Sequence, residues 1–324
     1  MWKGSLGIYR MDDDLRIGLI LHFDGFGGER GKNGPSYSSG VLSYSIANLP
    51  VHLRYNLENL LLVALTPGPK ESLCDELQHV LEAAVDNKLW LYNEGIIMKT
   101  EKFPEGRCCQ VYLLADACDH PALCRVCGFA DHGHLTRFCT RCKIPRSNLT
   151  TRDAFTKAYP PRTNEEHRSQ ARAYKAARPG DGSNEHKGLF KEHSSLYYTL
   201  SRLPYFDAIR MSVLDPMHNI LLGLCKTQWL ELWVKSSILR ECTARKLQEL
   251  DQIHQYLQTF EMLAWVGRLP NQVGYPAGSS LSADEYKALV LVYCPLIIPL
   301  IWREWQPVTQ DKWQKAMKRK EKVT

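Results

Sequence analysis

The chain lacks any run of eighteen consecutive apolar residues, about the minimum for a helix that crosses a bilayer. Its longest apolar stretch, Leu289 to Trp302, is interrupted by Pro295 and Pro299, so no membrane span is expected. No secretory leader is expected: Met11-Asp12-Asp13-Asp14 follows the start at once and no cleavage pattern is present. It lacks an even set of cysteines. Eleven are present, and without secretion features that argues against a disulfide scaffold and for a reducing compartment. It also lacks a strong charge of either sign. Lys plus Arg is 41 and Asp plus Glu is 35, an excess of +6, which permits a polyanionic partner without demanding one. No internal repeat is visible.

What the chain does have is material for a sizeable core. Its 324 residues are 44% hydrophobic, enough for one large domain or two smaller ones. Residues 15–65 read as β-rich. Arg16 to Phe23 is a first strand, Gly25 to Ser39 a Gly-rich polar turn, and Gly40 to Ala47 and Leu60 to Leu65 are further strands. Pro67-Gly68-Pro69 ends that block. From Glu71 to Trp90, Leu73, Leu77, Val80, Leu81, Ala84 and Val85 recur at helical spacing. Cys109 to Ala115 is the next strand, so the order is β-β-β-α-β, a mixed sheet with a helix packed on it. Beyond residue 122 cysteine, histidine and arginine become dense. Residues 160–193 are polar and read as short surface helices or partly disordered chain. Three apolar helices follow, at Ile220 to Trp233, Thr243 to Trp265 and Ser282 to Val292. The basic tail, Lys312 to Lys322, is expected to fray.

Two apolar runs end on acids. One leads into Asp24; the other passes Asp116 and ends at Asp119. A single Asp after a strand is usually a turn former. Two strand-end carboxylates brought side by side suit a shared divalent metal, as in two-metal phosphodiester cleavage with ions roughly 3.5–4 Å apart. Cys124-x2-Cys127 and Cys139-x2-Cys142 are separated by 11 residues, with His132 and His134 between them. That spacing fits tetrahedral zinc, either as a four-cysteine site or as Cys139 and Cys142 with histidines; ordinary buried cysteine is the other reading. Asp215 and His218, in Asp215-Pro216-Met217-His218, read as a capping Asp and an inward His before an apolar helix. Glu285, three residues after Ser282, reads by itself as a capping-box residue.

Taken in order, several blocks resemble the catalytic core of CACTA-type (En/Spm-like) DNA transposases, particularly fungal ones. They are Phe23-Asp24-Gly25-Phe26, Asn48-Leu49-Pro50 through Arg54-Tyr55, Pro67-Gly68-Pro69-Lys70, Cys118-Asp119-His120-Pro121-Ala122, Gly128-Phe129-Ala130-Asp131-His132, Phe138-Cys139-Thr140-Arg141-Cys142, Arg202-Leu203-Pro204-Tyr205-Phe206-Asp207, and Asp215-Pro216-Met217-His218-Asn219 running to Gly223. No single block is specific; the ordered set is.

The resemblance implies an α/β, RNase H-like mixed sheet with a long, mainly helical, zinc-containing insertion before the last catalytic helix. Residues 15–123 would be the N-terminal half, 124–280 the Cys/His-containing insertion, 281–305 the terminal catalytic-core helix and 306–324 a basic tail. It implies a DDE triad of Asp24, Asp119 and Glu285 holding Mg2+ or Mn2+, with Asp116 as the alternative second acid. It implies zinc on Cys139 and Cys142, with His218 and His132 as imidazole ligands. The implied activity is DNA strand cleavage and transfer in the nucleus, acting on transposon ends and target DNA, with self-association into a homo-oligomer. Full transposases of this type are much longer, so the chain reads as a bare, truncated or decayed core. Two rivals stand beside it: a non-catalytic zinc-stabilised DNA- or protein-binding module, and a nuclease of the same fold without transposition.

Overall fold

The computed structural model describes residues 15–27, 38–68, 72–131, 133–134, 137–177, 189, 195–243, 247–264, 266–275 and 281–321. They fall into two compact units, Met1–Asp215 and Pro216–Thr324. That division lies within residues 124–280, the stretch read from sequence as one insertion.

The first unit is a mixed α/β layer structure. Strands β1 (Leu15–Gly27), β2 (Ser38–Ile46), β3 (Leu60–Thr66), β4 (Ile96–Thr100) and β5 (Phe103–Asp116) form one sheet of order β3-β2-β1-β5-β4. The β1–β2, β2–β3 and β4–β5 pairs are antiparallel, and β1–β5 is parallel. A parallel pair needs a long crossover, and helix α1 (Cys74–Asn93) lies in it.

Strand β4 was not expected from sequence, and β5 starts six residues earlier than the apolar run suggests. Pro104 and Gly106 are residues that a sheet interior disfavours. In the structure they fall in the outer part of β5, where only β4 pairs with it among the described residues, and Gly106 (φ +88°) sits beside a register shift. Edge positions and bulges are where a sheet tolerates these residues.

The core lies on one face of the sheet. Leu19, Leu21 and Phe23 of β1 alternate inward and meet Leu42 and Tyr44 of β2 and Val111 and Leu113 of β5. Helix α1 lays Leu77, Leu81 and Val85 against them, all fully buried and at the spacing of one helical stripe. Each such side chain contributes about 1.5–3 kcal/mol by leaving water. Helix α2 (His120–Cys127) adds Ala122, Leu123 and Val126. Helix α3 (Asn164–Ala176) adds Ala171, and the segment before helix α4 (Ala208–Met211) adds Tyr198, Leu200, Leu203 and Phe206. Gln78 crosses this layer as a polar tie: its Nε2 donates to Arg125 O at 2.8 Å and its Oε1 accepts from Thr199 N at 2.6 Å.

One irregularity in β5 sets the register of everything after it. Pairing with β1 runs Leu19 opposite Leu113 and then Ile20 opposite Ala115, so Leu114 is an extra residue, a β-bulge. Beyond it Asp116 stands opposite Leu21, on the core face. Leu114 itself lies against the bare Cα of Gly18; a Cβ there would come within 2.2 Å of Leu114 Cδ1.

The second unit is helical. Its first apolar segment is wound as π-helix over Met217–Cys225 and Thr227–Val234, rather than as the α-helix read from sequence. Helix α5 (Glu249–Thr259) is shorter than the apolar pattern, and Arg240 Nε holds its first residue, Glu249, at 3.0 Å. Helix α6 (Ala283–Ala288) passes through a π-helical turn, Leu289–Tyr293, into α7 (Cys294–Glu321). Pro295 and Pro299 therefore do not interrupt the helix, and the tail is helical to Glu321. The π-helical turn stands immediately before Pro295, where a proline ring and missing N–H would otherwise break the i→i−4 ladder. As a result Ala283–Arg303 is long and apolar enough to cross a membrane by length and composition. Tyr286, Leu289, Tyr293, Ile297 and Ile301 of this helix are buried in the second unit's core.

Gly128 closes α2 in the left-handed region at φ +67°, and a Cβ there would lie 2.5 Å from the backbone oxygen of Leu196. Gly128→Ala is expected to lower the stability of the first unit by about 1–3 kcal/mol in urea unfolding. Gly133→Ala, which meets nothing within 4 Å, is expected to stay within about 0.5 kcal/mol of wild type. Equal behaviour of the two variants would mean that the α2 cap is not under this constraint.

Candidate functional site

Asp24 and Asp119 each follow the last paired level of β1 and β5 by three residues. β1 and β5 run parallel and adjacent, with Leu21 opposite Asp116. The two chains stay paired past the end of β5: Ala117 N donates to Leu21 O at 2.9 Å, and Phe23 N donates to Cys118 Sγ at 3.1 Å. The next residues on each chain are Asp24 and Asp119, the latter three residues past the end of β5. Asp24 is exposed, and its place in β1 is opposite Val41 of β2. Asp119 is the N-cap of α2, its Oδ1 accepting from Ala122 N at 2.8 Å. That bond fixes the carboxylate and leaves its second oxygen for a ligand. His22, two residues before Asp24, donates from Nδ1 to Ala117 O at 3.2 Å, so its Nε2 accepts from Ser45 Oγ at 2.8 Å. Burial lowers its pKa, favouring the neutral ring.

Asp116 has a different environment. Its side chain is fully buried, with the Cys118 thiol donating to Oδ1 at 2.9 Å and the Cys127 thiol to Oδ2 at 3.2 Å. Burial raises its pKa to about 6, against the two thiol hydrogen bonds. It faces the core rather than the strand-end position of Asp24 and Asp119.

The two CxxC units go to different places. Cys127 faces Asp116, whereas Cys124 lies with His120 one turn earlier on α2. His120, Cys124 and Asp131 have ligand atoms all within 4.8 Å of one another, the one such group of three among the described residues. Cys124 Sγ is 3.7 Å from His120 Nδ1, and that nitrogen is 3.8 Å from Asp131 Oδ1. Burial, reinforced by Asp131, Cys74 and Asp119, pushes the Cys124 thiol pKa up.

Cys139 and Cys142 meet each other, with Sγ atoms 3.6 Å apart. Cys139 Sγ accepts from Arg141 N at 3.4 Å, and Cys142 Sγ accepts from the backbone N–H of Ile144. Each sulfur is thus met by the N–H two residues on, a turn that gathers both thiols. Two thiolates on one tetrahedral zinc, each at about 2.3 Å, are about 3.8 Å apart, so the pair fits that ion. The turn is fastened by a Cys142–Pro161 bridge and by Arg162 N donating to Arg141 O at 2.9 Å. His132 lies outside the described residues.

The remaining sequence candidates belong to the second unit. His218 is the second residue of the first π-helical stretch and is exposed. Glu285 is the N3 residue of α6 in a full capping box: its Oε2 accepts from Ser282 N at 2.6 Å, and Ser282 Oγ accepts from Glu285 N at 3.3 Å. Sequence reasoning missed the His120–Cys124–Asp131 group. Its signal was present as a His and a Cys four apart, spaced for one face of a helix. No protein-family model matches this chain, and no curated protein matches it.

Two buried groups in this region titrate against each other. His167, stacked between Phe129 and Tyr198 and bonded to Ser195 Oγ and Cys127 O, is lowered from 6.5 to about 4 by burial. Between those values the unfolded chain takes up a proton that the folded chain refuses, so this contribution is lost as pH falls from 6.5 towards 4. Asp116 is raised from 3.8 to about 6. Its contribution is present below 3.8 and is lost as pH rises towards 6. Each amounts to about 3 kcal/mol at most, and they oppose across pH 4–6. Asp116→Asn is therefore expected to make stability rise with pH across that window more steeply than in wild type, as read by urea unfolding at stepped pH. Parallel profiles for the two proteins would contradict this.

Proposed function

We propose that this chain is the catalytic core of a DDE-type, CACTA-like DNA transposase, with an RNase H-like sheet and metal-dependent DNA strand cleavage and transfer as its reaction. The observation that carries the reading is the position of Asp24 and Asp119 as the next residues beyond the last contact between two adjacent parallel strands. An antiparallel β3-β2-β1 meander with a parallel strand beside β1 supports an RNase H-like sheet. The donor set suits Mg2+ or Mn2+: two carboxylates, one exposed and one oriented by its cap, offer hard oxygen ligands. When bound, a pair of such ions supplies an activated water or 3′-hydroxyl for in-line attack and stabilises the leaving oxygen. Asp24 and Asp119 hold and orient, with no proton transfer required of either. Glu285 is the proposed third acid. DNA is held through Lys and Arg contacts to phosphate, so binding weakens steeply with salt.

The test is nicking of supercoiled plasmid by the full chain with Mg2+ or Mn2+. Wild type is expected to nick, and Asp24→Ala and Asp119→Ala to lose at least about 100-fold, on the scale of removing a key transition-state stabiliser. Equal nicking by all three would assign the activity to a contaminant and remove the enzyme reading.

A second reading, a non-catalytic zinc-stabilised binding module derived from such an enzyme, is favoured by the engagement of Glu285 in its capping box; the paired thiols of Cys139 and Cys142 suit both readings. Here Cys139→Ser is expected to reduce bound zinc and to destabilise the chain more than Cys74→Ser, whose thiol donates to Arg125 O at 3.3 Å. Structural zinc contributes on the order of 10–16 kcal/mol of apparent binding energy in small domains. Protein purified without chelator and found free of zinc would count against the cysteine site in both readings.

A further inference from the structure

We propose that His120, Cys124 and Asp131 form a separate transition-metal site of zinc type, distinct from the Asp24–Asp119 pair and from the Cys139–Cys142 turn, which clamps the helix capped by Asp119. The ligands come from both ends of one short element. His120 and Cys124 stand at i and i+4 on α2, so their side chains lie on one face. Gly128 turns the chain at the C-terminus of α2, and Asp131 follows three residues later.

Hydrogen bonds account for part of this cluster: Cys124 Sγ lies 3.7 Å from His120 Nδ1, within sulfur hydrogen-bond range, and donates to Ala130 O at 3.4 Å. His120 Nδ1 and Asp131 Oδ1 are 3.8 Å apart, beyond the reach of an N–H···O bond. A metal bound at about 2.0–2.3 Å to N, O and S places tetrahedral neighbours roughly 3.4–3.6 Å apart. The 3.7 and 3.8 Å edges need to close by a few tenths of an ångström, and the Cys124–Asp131 edge, within 4.8 Å, by up to about 1 Å. The donor types select the ion. One sulfur, one imidazole nitrogen and one carboxylate oxygen suit zinc and its neighbours, and exclude Mg2+ and Ca2+, which take oxygen ligands. Three protein ligands leave one position for water or a fourth group. Cys124 is buried and Asp131 is largely exposed, so the ion would enter from the carboxylate side. Binding replaces the Cys124 thiol proton by the metal and releases that proton to solvent. A clamp on His120 also restrains Asp119, its chain neighbour.

The experiment is Co2+ and Zn2+ titration of the full chain, following thiolate-to-cobalt charge-transfer absorption and metal content. Asp131→Asn and His120→Ala change exposed or half-exposed positions and leave both core thiols in place. Each is expected to weaken one class of bound metal at least about 10-fold, the low end of what losing even an outer partner of a metal site costs. The signal removed by Cys139→Ser should persist in both variants. Cys124→Ser should abolish the same class; if that variant does not fold, the other two decide. Metal affinity and stoichiometry identical to wild type in both Asp131→Asn and His120→Ala would overturn the site. The readout is binding alone. A chain that never nicks DNA but loses this metal class in His120→Ala supports the site, whereas nicking by a chain lacking the class supports only the acid pair.

Discussion

The parallel pairing of β1 with β5 is the interaction on which the first unit depends. It joins the antiparallel meander to the hairpin that follows α1, and so makes one sheet of two sequence-distant pieces. It also sets the level at which each acid emerges. The contact does not stop where regular strand ends: Ala117 N and Phe23 N continue it, the latter onto a sulfur rather than a carbonyl. Two consequences follow from this one seam. The apolar residues of both strands reach the same face and meet α1, and the chain that leaves the seam turns directly into α2 with Asp119 as its cap.

How much of this could be read from the residues varies with what each element depends on. β1, β2, β3 and α1 carry their own periodicity, and the structure has them within a few residues of the expected bounds. β4 carries none: Ile96 to Thr100 is short, and Pro104 and Gly106 follow it closely. Only pairing reveals that they sit on an edge. The capping-box role of Glu285 is local chemistry and was legible. The burial of Asp116 was not, because its thiol partners are brought by a bulge and by a helix that begins four residues later. For the cysteines, spacing alone suggested that Cys124 belongs with Cys127; they are neighbours on the helix, but their partners differ, Cys124 lying beside His120 and Cys127 donating to Asp116. The passage of the last helix through Pro295 depends on a π-helical turn, which no hydrophobic pattern announces.

The core of the first unit is unusually polar for its depth. Gln78, Asp116, His167 and Ser195 are each under 5% exposed, and each has hydrogen-bond partners. Unpaired, such groups would cost about 1–3 kcal/mol apiece. Paired, they connect α1, α2 and the 195–203 segment in one arrangement, since apolar contacts can slide where directional bonds cannot. These polar ties are close to the acids in sequence and in space: Asp116 is separated from Asp119 by three positions, and His167 bonds the carbonyl of Cys127 at the end of the helix that Asp119 begins.

The extra residue at Leu114 has a consequence for how this chain tolerates change. Strand side chains alternate with period two, and because Leu114 is the residue that opposes nothing, removing it alone would leave Leu113 opposite Leu19 and Asp116 opposite Leu21, with the sidedness of both halves of β5 unchanged. Asp116 would stay in the interior with its two thiol partners. A library of single-residue deletions along β5 would thus be best tolerated at the bulge, whereas a deletion that the bulge did not absorb would turn the side chains beyond it to the opposite face. Gly18 is the other half of the same device, because only a residue without a side chain leaves room for the leucine that the bulge displaces.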